Sequence, residues 1–234
     1  NKIEKLQAEN DKLRLSLQNR RDADALLKQL KGVLDLAGTA GYKVVGAKVI
    51  SQGSTTSFTQ SITIDVGSNS GVRSNMTVLS GYGLVGVVKY VYPNSALVQL
   101  ASDPAFRIGV RIAGSQQIGI LSGQGTRRGV LQLLDNRTYI KKGDALLARG
   151  SQGGRPFVPG APIGTVTNVD NSPGAVTQTA DVKFYTNFST LGVVAVVVSG
   201  EGADPRDALV PPKPIPTPIP TVTVFVTPSP SPTN

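Results

Sequence analysis

The spacing of hydrophobic positions changes twice along the chain. Ile3, Leu6, Asn10, Leu13 and Leu17 follow one another at alternating intervals of four and three, the a/d pattern of a heptad helix. In this register Asn10 occupies an a position, where an asparagine pairs with its own copy across a parallel dimer and fixes the register. Glu9 at g and Arg14 at the following e are placed for an interchain ion pair, worth only about a few tenths of a kcal/mol when exposed. The seam then falters, with Arg20 and Asp24 at the next two core positions. Leu27 and Leu34 return to d with Lys31 between them; alternatively Leu27, Leu30 and Leu34 start a new seam with shifted phase. Two readings follow: a dimeric coiled coil through Ile3, Leu6, Asn10, Leu13, Leu17, Leu27 and Leu34, or a single amphipathic helix lying on its own β-domain. The helix is expected over residues 1–38, ending near Leu36–Gly38, with Gly38 and Gly41 as cap and linker candidates.

From Tyr42 the pattern shortens to β-rich runs separated by Gly, Asn, Asp and Ser. Lys43–Ser51, Phe58–Val66, Met76–Leu79, Leu84–Tyr92, Ala96–Ala101, Arg107–Ile112 and Ile118–Ser122 read as strands. So do Val130–Leu134, Ala145–Arg149, Ile163–Val169, Ala180–Tyr185 and Val193–Ser199. With no convincing helix between them, these strands predict a mainly β body of two small barrel-like domains, 42–103 and 104–200. A divide near Asp103–Pro104 leaves room for strands of one half to complete the other. Beyond Gly202 the chain turns Pro-rich, with ten of its 16 prolines from Pro205 onward. Residues 203–234 are expected to stay largely disordered, Pro211–Pro220 favouring polyproline II. Thr221–Thr227 is a β-prone exception within that tail.

Composition narrows the chemistry. Histidine and cysteine are absent from the whole chain, and residues 42–200 contain no glutamate. That removes the usual general base near neutral pH, the commonest metal ligand, thiolate sites and disulfides. The net charge of +9 is uneven: residues 1–41 carry 8 basic and 6 acidic side chains, residues 42–200 carry 14 and 6, and the rest carry 2 and 3. A basic β-body attracts an anionic membrane surface, an envelope polymer or nucleic acid, or simply keeps the protein soluble. The longest apolar run, Val193–Val198, has six residues, far short of the roughly 20 that span a bilayer. The chain begins without Met and with the heptads already running, which reads as a fragment whose upstream anchor has been cut away.

The motifs that resemble catalytic signatures sit in the wrong context. Gly81, Gly83 and Gly86 in GYGLVG match a dinucleotide-binding pattern by letters, but that motif must open a helix. Here Val87, Val88, Lys89, Tyr90 and Val91 follow, then Pro93, so the glycines predict a tight hairpin with close backbone approach. The six carboxylates of the β-body, Asp65, Asp103, Asp135, Asp144, Asp170 and Asp181, fall largely beside turns, where Asp bonds the backbone. No S-x-x-K motif or Ca²⁺-loop spacing occurs, so a Ser–Lys hydrolase has no signature behind it. The basic residues do not interleave with aromatics as a nucleic-acid platform requires. The reading is therefore no catalytic residue, no cofactor, no metal and no nucleic-acid partner.

Three stretches resemble a known family. The first is Asp65-Val66-Gly67-Ser68-Asn69-Ser70-Gly71-Val72, running through Met76-Thr77-Val78 to Gly83-Leu84-Val85-Gly86-Val87-Val88. The second, Ser95–Asp103, is similar to S-x-V-x-L-x-x-D with one extra residue between Ser95 and Val98. The third is Lys142-Gly143-Asp144 leading to Phe157-Val158-Pro159-Gly160-Ala161-Pro162-Ile163-Gly164-Thr165-Val166. Together with the order of the parts, they resemble the rod shape-determining MreC family over residues 1–200; the Pro/Thr tail lies outside the shared pattern and is similar to that of high-GC Gram-positive, actinobacterium-like members. The resemblance implies a non-enzymatic, membrane-anchored scaffold on the extracytoplasmic side, working in the cell-wall elongation complex. It implies self-association as a dimer or filament, and partners in a class B penicillin-binding transpeptidase, MreD and, where present, MreB. Gly67, Gly71, Gly83, Gly86, Gly143, Asp144, Pro159, Gly160 and Gly164 then serve as structural motif residues. The alternative is a periplasmic adaptor subunit of an export system, which needs two antiparallel helical arms.

Overall fold

The computed structural model describes residues 2–53, 60–115, 117–125, 127–133, 140–170, 177–199, 205 and 208–211. Phe58, Asp135, the Ile3 side chain and all but five residues of the Pro-rich tail lie outside that description.

Among the described residues one α-helix, α1 (Lys2–Ala40), precedes twelve strands. The strands are β1 (Lys43–Gln52), β2 (Ser61–Ile64), β3 (Thr77–Ser80), β4 (Gly83–Val91), β5 (Ala96–Leu100) and β6 (Arg107–Ile112). Then come β7 (Ile118–Gly123), β8 (Arg128–Leu133), β9 (Ala145–Ala148), β10 (Pro162–Asp170), β11 (Thr179–Phe184) and β12 (Val193–Ser199). They close into two barrels of six antiparallel strands, ordered β1-β12-β3-β4-β5-β2 and β10-β11-β8-β7-β6-β9. Closure removes the exposed edges that an open sheet would leave. Alternation does what the sequence asks of it: β5 and β8 place every second residue in a barrel interior. Register shifts at Val49/Ser51, Val88/Tyr90 and Val166/Asn168 bend the longer strands around their barrels.

The last strand crosses the divide near Asp103–Pro104. β12 lies between β1 and β3 and completes the first barrel, so the second barrel is an insertion between β5 and β12. Val194–Val197 are buried on both faces of that strand, consistent with an interior position in the sheet. The helix continues past Gly38 to Ala40. Gly38 tolerates the helix interior, and Gly41, at φ 70°, provides the left-handed stop. The Tyr42 N–H bonds the Ala37 carbonyl at 3.0 Å and the Gly41 N–H bonds Gly38 at 3.2 Å, the paired bonds of a Schellman C-cap. Ala37 and Tyr42, both buried, supply the apolar contact that accompanies that cap.

One contiguous core runs through both barrels. Phe106 and Phe157 meet edge to face with centroids 5.5 Å apart, and Phe184 meets Phe188 in the same way at 5.4 Å. All four residues of β3 are buried, so both faces of that strand are covered.

Candidate functional site

Asp65, Asp103 and Asp144 all bond backbone groups. Asp65 accepts the Lys48 N–H at 2.7 Å, and Asp144 accepts the Lys141 N–H at 2.8 Å. Asp103 is fully buried and accepts from the N–H groups of Gln60 (2.6 Å) and Ala105 (2.7 Å) and from the Gln99 amide (3.3 Å). Each of the three shapes a turn or ties two strands, as Asp beside a turn should. Among the described residues no group of three His, Cys, Asp or Glu side chains converges.

The motif residues instead build the joints of the frame. Gly67 sits where a Cβ would strike the carbonyl of Tyr92, and Ser68 and Asn69 bond the carbonyls of Tyr92 (2.9 Å) and Pro93 (3.1 Å). Gly71, at φ 80°, closes that turn. The glycine-rich stretch forms the expected hairpin, with Gly81 and Tyr82 between β3 and β4. A Cβ on Gly81 would lie 2.9 Å from the backbone of Gly32 in α1, so helix and hairpin touch through bare backbone. Gly83 and Gly86 abut the carbonyls of Pro162 and Gln99 respectively. Gly143, at φ 93°, forms the turn that presents Asp144, and its N–H bonds Val166 at 2.8 Å. Gly164 leaves room for the Lys183 carbonyl across the β10–β11 pair.

The segment Phe157–Pro162 joins the barrels. The Thr77 hydroxyl of β3 donates to the Pro156 carbonyl at 2.8 Å and accepts from the Val158 N–H at 3.0 Å. The Tyr42 hydroxyl donates to the Pro159 carbonyl. Gly160, at φ 82°, turns the chain back so that its N–H bonds Ala148 at 2.8 Å. Ser80 of the first barrel and Thr186, next to β11, share a buried hydroxyl contact of 3.1 Å. Relative motion of the barrels would break the Thr77, Tyr42 and Ser80–Thr186 bonds, so these hold the two barrels as one frame.

A groove and a helix face are open on this frame. One is a groove of about 690 Å³ between the barrels, lined by Gln52, Gln60, Ser61, Ser102, Arg127 and Asn187 among others. Its walls mix amide, hydroxyl and guanidinium groups with the apolar side chains of Leu100 and Phe188. Gln60 is fixed there by bonds to Gly125 and Ser102, each at 2.5 Å. Arg127 turns its Nη2 to the carbonyls of Phe184 (3.3 Å) and Tyr185 (3.1 Å).

The other is the helix. Its last turns dock on the first barrel through Val33, Ala37 and Ala40, all buried. Gln29 clamps it: Oε1 accepts from the N–H groups of Gly192 and Val193, both at 2.9 Å, and Nε2 donates to Thr190 at 3.3 Å. Leu6, Leu13, Leu17, Leu27 and Leu34 remain more than half exposed, and Asn10 is exposed as well. Residues 26–40 lie on their own barrel, while the heptad leucines face away from it. The residues of the docking stripe are hard to pick out in the sequence because it mixes Gln29 and Gly32 with Val33, Leu36, Ala37 and Ala40. The spacing of Leu26, Val33 and Ala37 was the available signal, masked by the stronger leucines beside it. Among the described residues no helix is long and apolar enough to cross a membrane.

Comparison with known proteins agrees with this architecture. Residues 49–198 match the family described as rod shape-determining protein MreC, barrel core. The cell shape-determining protein MreC of Listeria monocytogenes is 31% identical over 176 residues, covering 73% of this chain. The chain spans 59% of that relative's length. A solved MreC structure aligns with a TM-score of 0.68 at 30% identity, covering 75% of this chain and 98% of its own. The major periplasmic domain from the cell shape-determining filament MreC aligns at 0.55 and 29% identity, covering 66% and 95%. The Helicobacter pylori MreC, solved in complex with a penicillin-binding protein, shares the fold at a TM-score of 0.52 and 18% identity, covering 67% and 99%.

Proposed function

The chain belongs to the MreC family of cell shape-determining proteins, and from that premise we propose that it is a non-enzymatic extracytoplasmic scaffold of the cell-wall elongation complex. It is held to the membrane by a segment upstream of α1, associates with its own copies through the exposed leucines of that helix, and presents the barrel pair to a peptidoglycan transpeptidase. MreD and, where present, MreB complete the assembly. The observation that carries this reading is the contrast between the two ends of α1. Residues 26–40 are fixed on the barrels, while Leu6, Leu13 and Leu17 project from the frame with no cover among the described residues. An isolated helix exposing a heptad stripe is a partner-binding element. The Helicobacter pylori MreC complex with a penicillin-binding protein supports the choice of partner, and the periplasmic domain of a second MreC supports the compartment.

The export-adaptor alternative requires a second antiparallel arm, and the described residues contain one long helix. The scaffold reading is tested in cells depleted of their own MreC. Restoration of rod shape by this chain, fused to a membrane anchor, is the expected result. Cells that stay round although the fusion accumulates in the membrane would refute it.

A further inference from the structure

The described residues of the tail, Pro205 and Ala208–Pro211, do not leave the body of the protein. The Ala208 N–H bonds the Pro205 carbonyl at 3.1 Å, making a turn. Leu209 then packs against the common core, and Val210 and Pro211 are half-buried while Ala208 at the turn is exposed. These residues form one wall of a cavity of about 510 Å³ at the place where three parts of the molecule meet. The other walls are Asp35 and Leu36 of α1, Gly81 and Tyr82 of the β3–β4 hairpin, and Pro162 and Tyr185 of the second barrel. Exposed and half-buried tyrosines beside a proline make a surface suited to an aliphatic, proline-bearing segment. Pro211 enters with its φ already fixed, which lowers the entropy lost on docking.

We infer that Ala208–Pro211 form an intramolecular latch: they wall the tyrosine-lined groove at the junction of helix, hairpin and second barrel, and hold the docked half of α1 to the barrel pair. This site is separate from the inter-barrel groove and from the leucine face of the helix, and it stands whether or not the scaffold reading does. Without the latch, α1 keeps only its contacts with the first barrel, centred on Gln29, Val33 and Ala37. The latch therefore sets how firmly the projecting helix is coupled to the frame, and a partner that draws the Pro-rich tail away loosens that coupling.

Hydrogen exchange on the full chain tests this. Leu209→Asp is expected to speed exchange of the amides of residues 32–40 about tenfold, with the β3, β4 and β10 amides unchanged. Equal exchange in the two proteins would overturn the latch. The chain has no cysteine, so Asp35→Cys with Ala208→Cys supplies a unique thiol pair for a short bismaleimide, with Leu209 left intact. An intramolecular cross-link on a monomer is expected. A product joining two chains, or no product at concentrations where both thiols are labelled singly, contradicts a latch formed within one chain.

Discussion

At the scale of single residues, a few polar groups hold large parts together. Gln29 satisfies two N–H groups at the start of β12 with one oxygen. Gln29→Ala leaves them to find water in a half-covered site, a loss of about 0.5–1.5 kcal/mol for each hydrogen bond. Chemical denaturation should show a lower midpoint, and exchange should rise first in residues 26–40; an unchanged midpoint would mean that the clamp is dispensable. Gly81 makes a converse case. Gly81→Val drives a side chain into the backbone of Gly32, so the helix must lift while the barrels persist. Tyr185 adds a pH dependence, since burial pushes its phenol above its ordinary value of 10.0. The folded protein then keeps that proton where the unfolded chain loses it. The contribution is complete below pH 10 and declines as pH rises through the folded value. Thermal melting of Tyr185→Phe should lose less stability than the parent between neutral pH and pH 11. Parallel losses in the two proteins would show that Tyr185 titrates as if free.

At the scale of elements, legibility followed locality. Strand positions could be read because alternation and Gly-bearing turns are local signals, and the Gly81–Gly86 stretch could be read as a hairpin because a β-branched run follows it. The place of β12 could not be read, since its run of valines is the same whether it completes one barrel or the other, and pairing across more than a hundred residues leaves no local mark. The helix was legible in its leucines and not in its docking face, because Gln29 and Gly32 act through a hydrogen-bond clamp and a close approach, not through hydrophobicity. The motif residues were legible as a resemblance, and their geometry shows turns and joints. The exposed leucines carry a prediction at this scale. Leu13→Asp places a charge in the proposed seam, and sedimentation should change from a concentration-dependent dimer to a monomer throughout. The same mass for parent and variant at every concentration would remove the helix from self-association.

At the scale of the whole molecule, the physical theme is a rigid frame with one projecting arm. The two barrels share a core, and Thr77, Tyr42, Ser80 and Thr186 tie their surfaces together across the joint. Such a frame suits binding without reorganisation, since little conformational entropy is lost when a partner arrives. The direct test is a titration of the full chain against the extracytoplasmic part of the elongation transpeptidase from the same organism, followed by calorimetry. The account predicts saturable binding at micromolar concentration or tighter, retained in Leu13→Asp because the barrels carry the partner surface. No heat or saturation with either protein, both being folded, would contradict the account.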